Sequence, residues 1–143
     1  MTSRTGLTSL AMGASALALL AHGIALLFAP DIVFRFFDVA AGPVGPAAAQ
    51  LLGAALMGFG LMSWAGRNLV LGGIYGRPLV YGNFAHYFIG ALVSIRAHLG
   101  GFGNGYFWIE VALYAGFAVL FGFFLFGSSP AVPTSGAASS GPR

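Results

Sequence analysis

The chain has 143 residues, of which 58% are hydrophobic and only 6% are charged, and its mean hydropathy is +0.88. Soluble domains carry about a quarter charged residues, so this composition excludes a soluble globular protein. A chain of this length has room for about four membrane-crossing helices of roughly 20 residues each. The sequence therefore predicts an all-α integral membrane protein with the lipid bilayer as its main surroundings.

The absence of cysteine and the distribution of arginine exclude further classes of protein. The chain contains no cysteine, so disulfides, thiolate metal sites and cysteine nucleophiles are ruled out. Its six basic residues are all arginines, and they are scattered along the chain without forming a cluster. A nucleic-acid-binding protein would need such a cluster, so we expect no nucleic-acid partner.

The first apolar segment covers residues 7–29 and ends at Pro30, which cannot continue the hydrogen-bond ladder of a helix. It is too long for the hydrophobic region of a signal peptide, and no clear cleavage site follows it, so we expect an uncleaved span. Residues 31–38 place Asp31, Arg35 and Asp38 on one side of a helix and aromatic rings on the other. This pattern predicts a half-helix at the membrane interface.

Three more spans are predicted at residues 46–65, 78–99 and 106–126. Glycine interrupts the apolar residues 69–77, and a glycine-rich turn at 100–105 separates the last two spans. The four spans form one predicted domain, residues 1–126. Residues 127–143 are mostly Ser, Pro, Gly, Ala and Thr, a composition that predicts a disordered tail.

The distribution of arginine predicts the orientation. Arg4, Arg67, Arg77 and Arg143 fall on one side of the predicted membrane, whereas Arg35 on the other side is offset by two aspartates. Because loops rich in arginine stay in the cytoplasm, we expect an up-down bundle with both termini cytoplasmic.

A polar layer is predicted near the outer ends of three spans. Counted from the centre of the 100–105 turn, Arg96 lies about six residues back along the third span and Glu110 about seven residues forward along the fourth, so both lie at nearly the same depth. Gln50, near the outer end of the second span, falls in the same layer. The three side chains are expected either to stabilise the bundle or to bind a ligand or ion.

Small or polar residues also recur at every fourth position of the third span. Gly82, His86, Gly90, Ser94 and His98 share one helix face, which predicts a groove of small residues containing imidazoles. The first span carries an alanine stripe from Ala11 to Ala25, which predicts close packing of that helix.

The histidines near the middle of the membrane leave two interpretations open. His22 and His86 lie at loosely similar depths on different helices, an arrangement typical of a haem b ligand pair in a four-helix bundle. Alternatively, they form a polar helix face with Asn83 and Tyr87 and donate hydrogen bonds to neighbouring helices.

Enzymatic motifs do not emerge from the sequence. The glycines of residues 100–105 do not follow a strand, so they do not form a nucleotide-binding loop. The three acidic residues give no convincing carboxylate pair, and no Ser-His-acid arrangement can be argued from spacing. We therefore predict a protein without catalytic residues, without a metal site and without a cofactor apart from the haem alternative.

The chain resembles small, mostly uncharacterised bacterial four-helix membrane proteins. The resemblance rests on residues 27–31 (LFAPD), on residues 50–60 (QLLGAALMGFG) and on His86. It implies a multi-pass protein of the bacterial inner (plasma) membrane, and it supplies no catalytic residue.

Three functions are therefore predicted. The first is a non-enzymatic accessory or scaffold subunit of a larger membrane complex, which could also self-associate through its small-residue faces. The second is a small-molecule, lipid or ion binder or transporter that uses Gln50, Arg96 and Glu110. The third is a haem b membrane anchor that uses His22 and His86.

Overall fold

A computed structural model describes residues 2–69 and 76–127, with side chains from residue 6 onward. In chain order the described residues form five helices: α1 (Thr2–Phe28), α2 (Pro30–Phe37), α3 (Gly45–Gly66), α4 (Gly76–Leu99) and α5 (Phe107–Phe126). Four of them, all but α2, are long and apolar enough to cross a membrane. The prediction of an all-helical membrane protein with four candidate spans is therefore confirmed.

The candidate spans lie close to the predicted ones. They cover Gly6–Phe28, Gly45–Gly66, Gly76–Leu99 and Phe107–Phe126, so their ends differ from the predicted ends by at most two residues. The predicted half-helix at 31–38 corresponds to α2. The glycine-interrupted residues 70–75 and the tail from residue 128 onward lie outside the described residues.

Local sequence explains how the helices end. Pro30 is the first residue of α2, where a missing backbone N–H costs nothing, and Asp38 ends that helix in a left-handed conformation with φ of 54°. The turn between α4 and α5 contains Gly101 and Gly103 with φ of 89° and 76°, a backbone conformation that glycine adopts without strain.

The helices associate as two pairs. Helix α1 packs most closely on α3, and α4 packs most closely on α5. In the first pair Gly23 meets Gly53, and the earlier residue Ala16 meets the later residue Gly60, so the two helices run in opposite chain directions. In the second pair Gly90 meets Tyr114, and the earlier residue Phe84 meets the later residue Gly122, so α4 and α5 also run in opposite chain directions.

The alanine stripe of α1 is only partly buried, since Ala11 belongs to the core and Ala18 and Ala25 are half-buried. Ala14 and Ala21 are exposed, whereas Ala16 is fully buried and Gly23 makes the closest backbone contact. Glycine allows two helix backbones to approach more closely than alanine does, so the Gly23–Gly53 contact determines which face of α1 is buried.

A buried group of polar side chains joins the two pairs. Four residues with 0–1% exposure form it, and we call them the polar core: Ser15, Ser63, Asn83 and Tyr87. The hydroxyl of Ser15 on α1 donates to Asn83 Oδ1 on α4 at 2.8 Å, and the amide of Asn83 donates to Ser63 Oγ on α3 at 3.2 Å. One asparagine therefore connects three helices through hydrogen bonds.

Candidate functional site

The two helix pairs separate beyond the polar core and leave a cavity of about 600 Å³ between them. Its walls come from all five helices and are mostly apolar. Helix α2 covers one end, where Phe34 and Phe37 line the cavity. Asn104, in the turn between α4 and α5, holds α2 in place by donating its backbone N–H to Phe37 O at 2.8 Å and its side-chain amide to Phe36 O at 2.8 Å.

Five side chains carry polar atoms into this mostly apolar lining: His22, His86, Ser94, Glu110 and Tyr114. A volume of 300–1,000 Å³, an apolar lining and a few convergent polar groups are typical of small-molecule sites. The predicted groove on α4 forms part of this cavity, since His86, Gly90 and Ser94 all line it.

Glu110 forms an ion pair with His22. It lies in the first turn of α5, and its Oε2 is 3.1 Å from Nε2 of His22 on α1, with 14% and 29% of the two side chains exposed. The contact joins α1 to α5, and when His22 is protonated it is an ion pair that offsets the cost of placing the carboxylate in an apolar environment.

The predicted layer of Gln50, Arg96 and Glu110 is not formed. Gln50 donates to the backbone oxygen of Leu27 at 3.3 Å, and Arg96 is exposed without an ion pair to any described residue. The similar depth of these three residues along their helices therefore did not determine which side chains pair. Arg96 follows Gly90 by six residues and therefore lies roughly 120° around α4 from the face that meets α5.

His86 lies beside the ion pair in the same cavity. Its ring packs against Phe59, Tyr87 and Tyr114 with centroid distances of 5.4, 5.1 and 5.4 Å. The Nε2 atom of His86 is buried and has no hydrogen-bond partner among the described residues. A buried polar atom without a partner costs about 1–3 kcal/mol, so its presence calls for an explanation.

The sequence suggested Asn83 and Tyr87 as polar partners of the histidines, but their hydrogen bonds among the described residues go elsewhere, and Tyr87 meets His86 only through a ring contact. Both belong to the polar core, where the Tyr87 hydroxyl lies 3.0 Å from Ser15 Oγ. Sequence reasoning missed the two serines that complete this core. Their signal is weak, because a single serine in an apolar helix also occurs without a partner side chain.

The structure brings the two candidate haem ligands into one cavity, which they line together. The Nε2 atom of His22, however, is bound to Glu110, so an iron ligated through this nitrogen would have to displace the carboxylate. Among the described residues, no group of three or more His, Asp or Glu side chains is arranged to hold a metal ion. His98 stacks on Phe107, away from these two histidines, near the turn.

The cavity opens sideways between α3 and α4. Leu52 on α3 and Ile89 and Val93 on α4 line it, although they are 52%, 59% and 61% exposed. In a membrane-spanning bundle such exposed side chains would face lipid, and an opening between them would lead to acyl chains rather than to water.

Fold and site together define a helical membrane protein with a laterally open, mostly apolar cavity and a small cluster of ionisable side chains. Comparison of the chain with known protein families, with curated proteins and with solved structures finds no significant match. The resemblance to small bacterial four-helix membrane proteins therefore stays a prediction.

Proposed function

We propose that this protein binds a lipophilic small molecule inside the membrane, in the cavity between the two helix pairs, and acts without catalysis. The observation that carries the proposal is the combination of a 600 Å³ cavity with exposed apolar lining residues on two candidate membrane-spanning helices. A molecule dissolved in the bilayer would reach the site without crossing an aqueous phase. Of the functions predicted from the sequence, small-molecule binding is the one that this geometry favours.

The site residues of this proposal differ from those predicted. Glu110 is retained, whereas His22 and His86 replace Gln50 and Arg96. The role of an accessory subunit stays a prediction that is compatible with ligand binding.

We further propose that the bundle lies in the bacterial inner membrane with both termini in the cytoplasm. The opposite chain directions within each helix pair support an up-down arrangement. The arginines expected on the cytoplasmic side support the position of the termini. Labelling of single cysteines introduced at residues 104 and 140 in intact cells tests the orientation, and labelling of residue 140 alone from outside would refute it.

Photolabelling tests the binding function. Purified protein is reconstituted into phosphatidylcholine vesicles with a diazirine-bearing fatty alcohol, irradiated and digested, and the labelled residues are mapped by mass spectrometry. We expect label to concentrate on cavity-lining residues of α4 and α5. Uniform labelling of all lipid-facing positions would contradict the proposal.

A pair of matched variants makes the test specific. Ala85→Trp places a large ring at the cavity, because Ala85 lines it, and should strongly reduce labelling of the cavity. Ala112→Trp introduces the same ring at an exposed position of α5 that does not line the cavity, and should leave the labelling unchanged. Equal effects of the two substitutions would show that the label does not report on the cavity.

A further inference from the structure

The polar atoms of the cavity limit the chemistry of the ligand's head group. Glu110 and His22 already satisfy each other at 3.1 Å, whereas the Nε2 atom of His86 has no partner among the described residues. His86 is one of the cavity-lining residues, and its χ2 torsion has a broad intrinsic preference, so the aromatic neighbours of the ring set its orientation. A small rotation would turn Nε2 towards a bound molecule, where it could donate a hydrogen bond to an oxygen atom.

The charge of the cavity argues against an ionised head group. No arginine is found among the lining residues that the structure describes, and His22 already contacts the acidic Glu110 at 3.1 Å. A phosphate or carboxylate head would enter a mostly apolar cavity without a permanent cation to pair with, which is strongly unfavourable. An uncharged head group that accepts hydrogen bonds fits these surroundings.

The shape of the lining favours a flat ring. Phe34, Phe102, Phe107 and Tyr114 line the cavity with aromatic rings, and flat conjugated rings pack well against such surfaces. The opening at Leu52, Ile89 and Val93 leads to lipid, so an apolar tail attached to that ring could extend into the bilayer.

We propose that the ligand is a lipid-soluble quinone, held with a ring carbonyl oxygen accepting a hydrogen bond from His86 Nε2 and with its tail passing between α3 and α4. This inference rests on the proposed function, because it names the class of molecule that occupies the same cavity. It concerns binding alone.

Competition with the photolabel tests the inference. Three competitors with the same decyl tail are compared: decyl-para-benzoquinone, decylbenzene and decyl phosphate. In the wild-type protein the quinone should reduce cavity labelling at about one tenth of the concentration that decylbenzene needs, as one hydrogen bond worth up to about 1.4 kcal/mol implies. The decyl phosphate should be no better than decylbenzene.

The variant His86→Phe keeps a flat ring but removes the donor. The advantage of the quinone over decylbenzene should disappear in this variant, while competition by decylbenzene stays the same. Infrared difference spectra provide a second measurement, in which the carbonyl stretch of the bound quinone shifts to lower frequency in the wild type. If His86→Phe fails to fold, the quinone assignment is tested by the comparison of the three competitors in the wild-type protein and by the infrared shift of the quinone carbonyl.

The outcomes separate the two proposals. Cavity labelling without any advantage of the quinone would overturn the quinone assignment and leave lipophile binding intact. An advantage that persists in His86→Phe, or stronger competition by decyl phosphate, would also overturn it. Absence of cavity labelling would instead refute the proposed function.

Discussion

Substitution of Gly53 by alanine tests the close contact between α1 and α3. A Cβ atom at this position would lie 2.7 Å from Gly23 O, 2.8 Å from Leu27 N and 3.2 Å from the carbonyl carbon of Leu26. All three are backbone atoms, so no side-chain rotation can relieve the overlap. The two helices would have to separate by roughly 0.5–1 Å, which loosens a densely packed interface.

Two opposing contributions determine the magnitude. Overpacking of this kind costs about 1–3 kcal/mol, whereas exchange of glycine for alanine inside a helix gains up to about 1 kcal/mol. Subtracting a gain of about 1 kcal/mol, we expect Gly53→Ala to lower the free energy of unfolding by up to about 2 kcal/mol, as measured by SDS titration in mixed micelles.

Gly58 provides the matched control on the same helix. A Cβ atom there would meet nothing within 4 Å, and the residue is exposed, so Gly58→Ala should be neutral or slightly stabilising. If Gly53→Ala proves as stable as Gly58→Ala, the close approach of the two backbones would be refuted.

Three further predictions concern the polar side chains. A double-mutant cycle of His22→Ala and Glu110→Ala should give a coupling energy of about 0.5–1 kcal/mol in unfolding titrations. The corresponding cycle of Arg96→Ala and Glu110→Ala should give no coupling energy. The reverse result would favour Arg96, the partner of Glu110 that the sequence predicted. Asn83→Leu should destabilise the bundle by about 1–2 kcal/mol, because it removes the hydrogen bond from Ser15 and leaves the buried Ser63 hydroxyl without its side-chain partner, and an unchanged SDS midpoint would contradict this. A Soret band that vanishes on His86→Ala would support the haem alternative, and a colourless preparation from haem-supplied cells would argue against it.

Patterns along one helix were easier to predict than partners between helices. The ends of the candidate spans follow from apolar length, proline and glycine, all of which act within a few residues of the position they determine. The four-residue repeat on α4 likewise predicted a groove, and His86, Gly90 and Ser94 do line the cavity. Each of these inferences needs only the geometry of a single helix.

The partner of Glu110 could not be predicted in this way. Arg96 and His22 are both within reach in depth, and the choice between them depends on how α1, α4 and α5 are rotated about their axes. That rotation is fixed by contacts such as Gly23 with Gly53 and Gly90 with Tyr114, which join residues distant in the chain. A sequence shows that such glycines exist, but it does not show which of them meet.

The polar core and the cavity give α4 two different roles along its length. Near its start Asn83 is fully buried, and its side-chain amide donates to Leu79 O and Ser63 Oγ. One turn later His86 is left with a buried nitrogen and no described partner, beside a cavity that opens to lipid. A hydrogen-bonded asparagine stabilises the bundle whether or not a ligand is present. Under the proposed function, a ligand oxygen would offset the cost of the unpaired histidine, so the same atom that destabilises the empty bundle would favour the bound one.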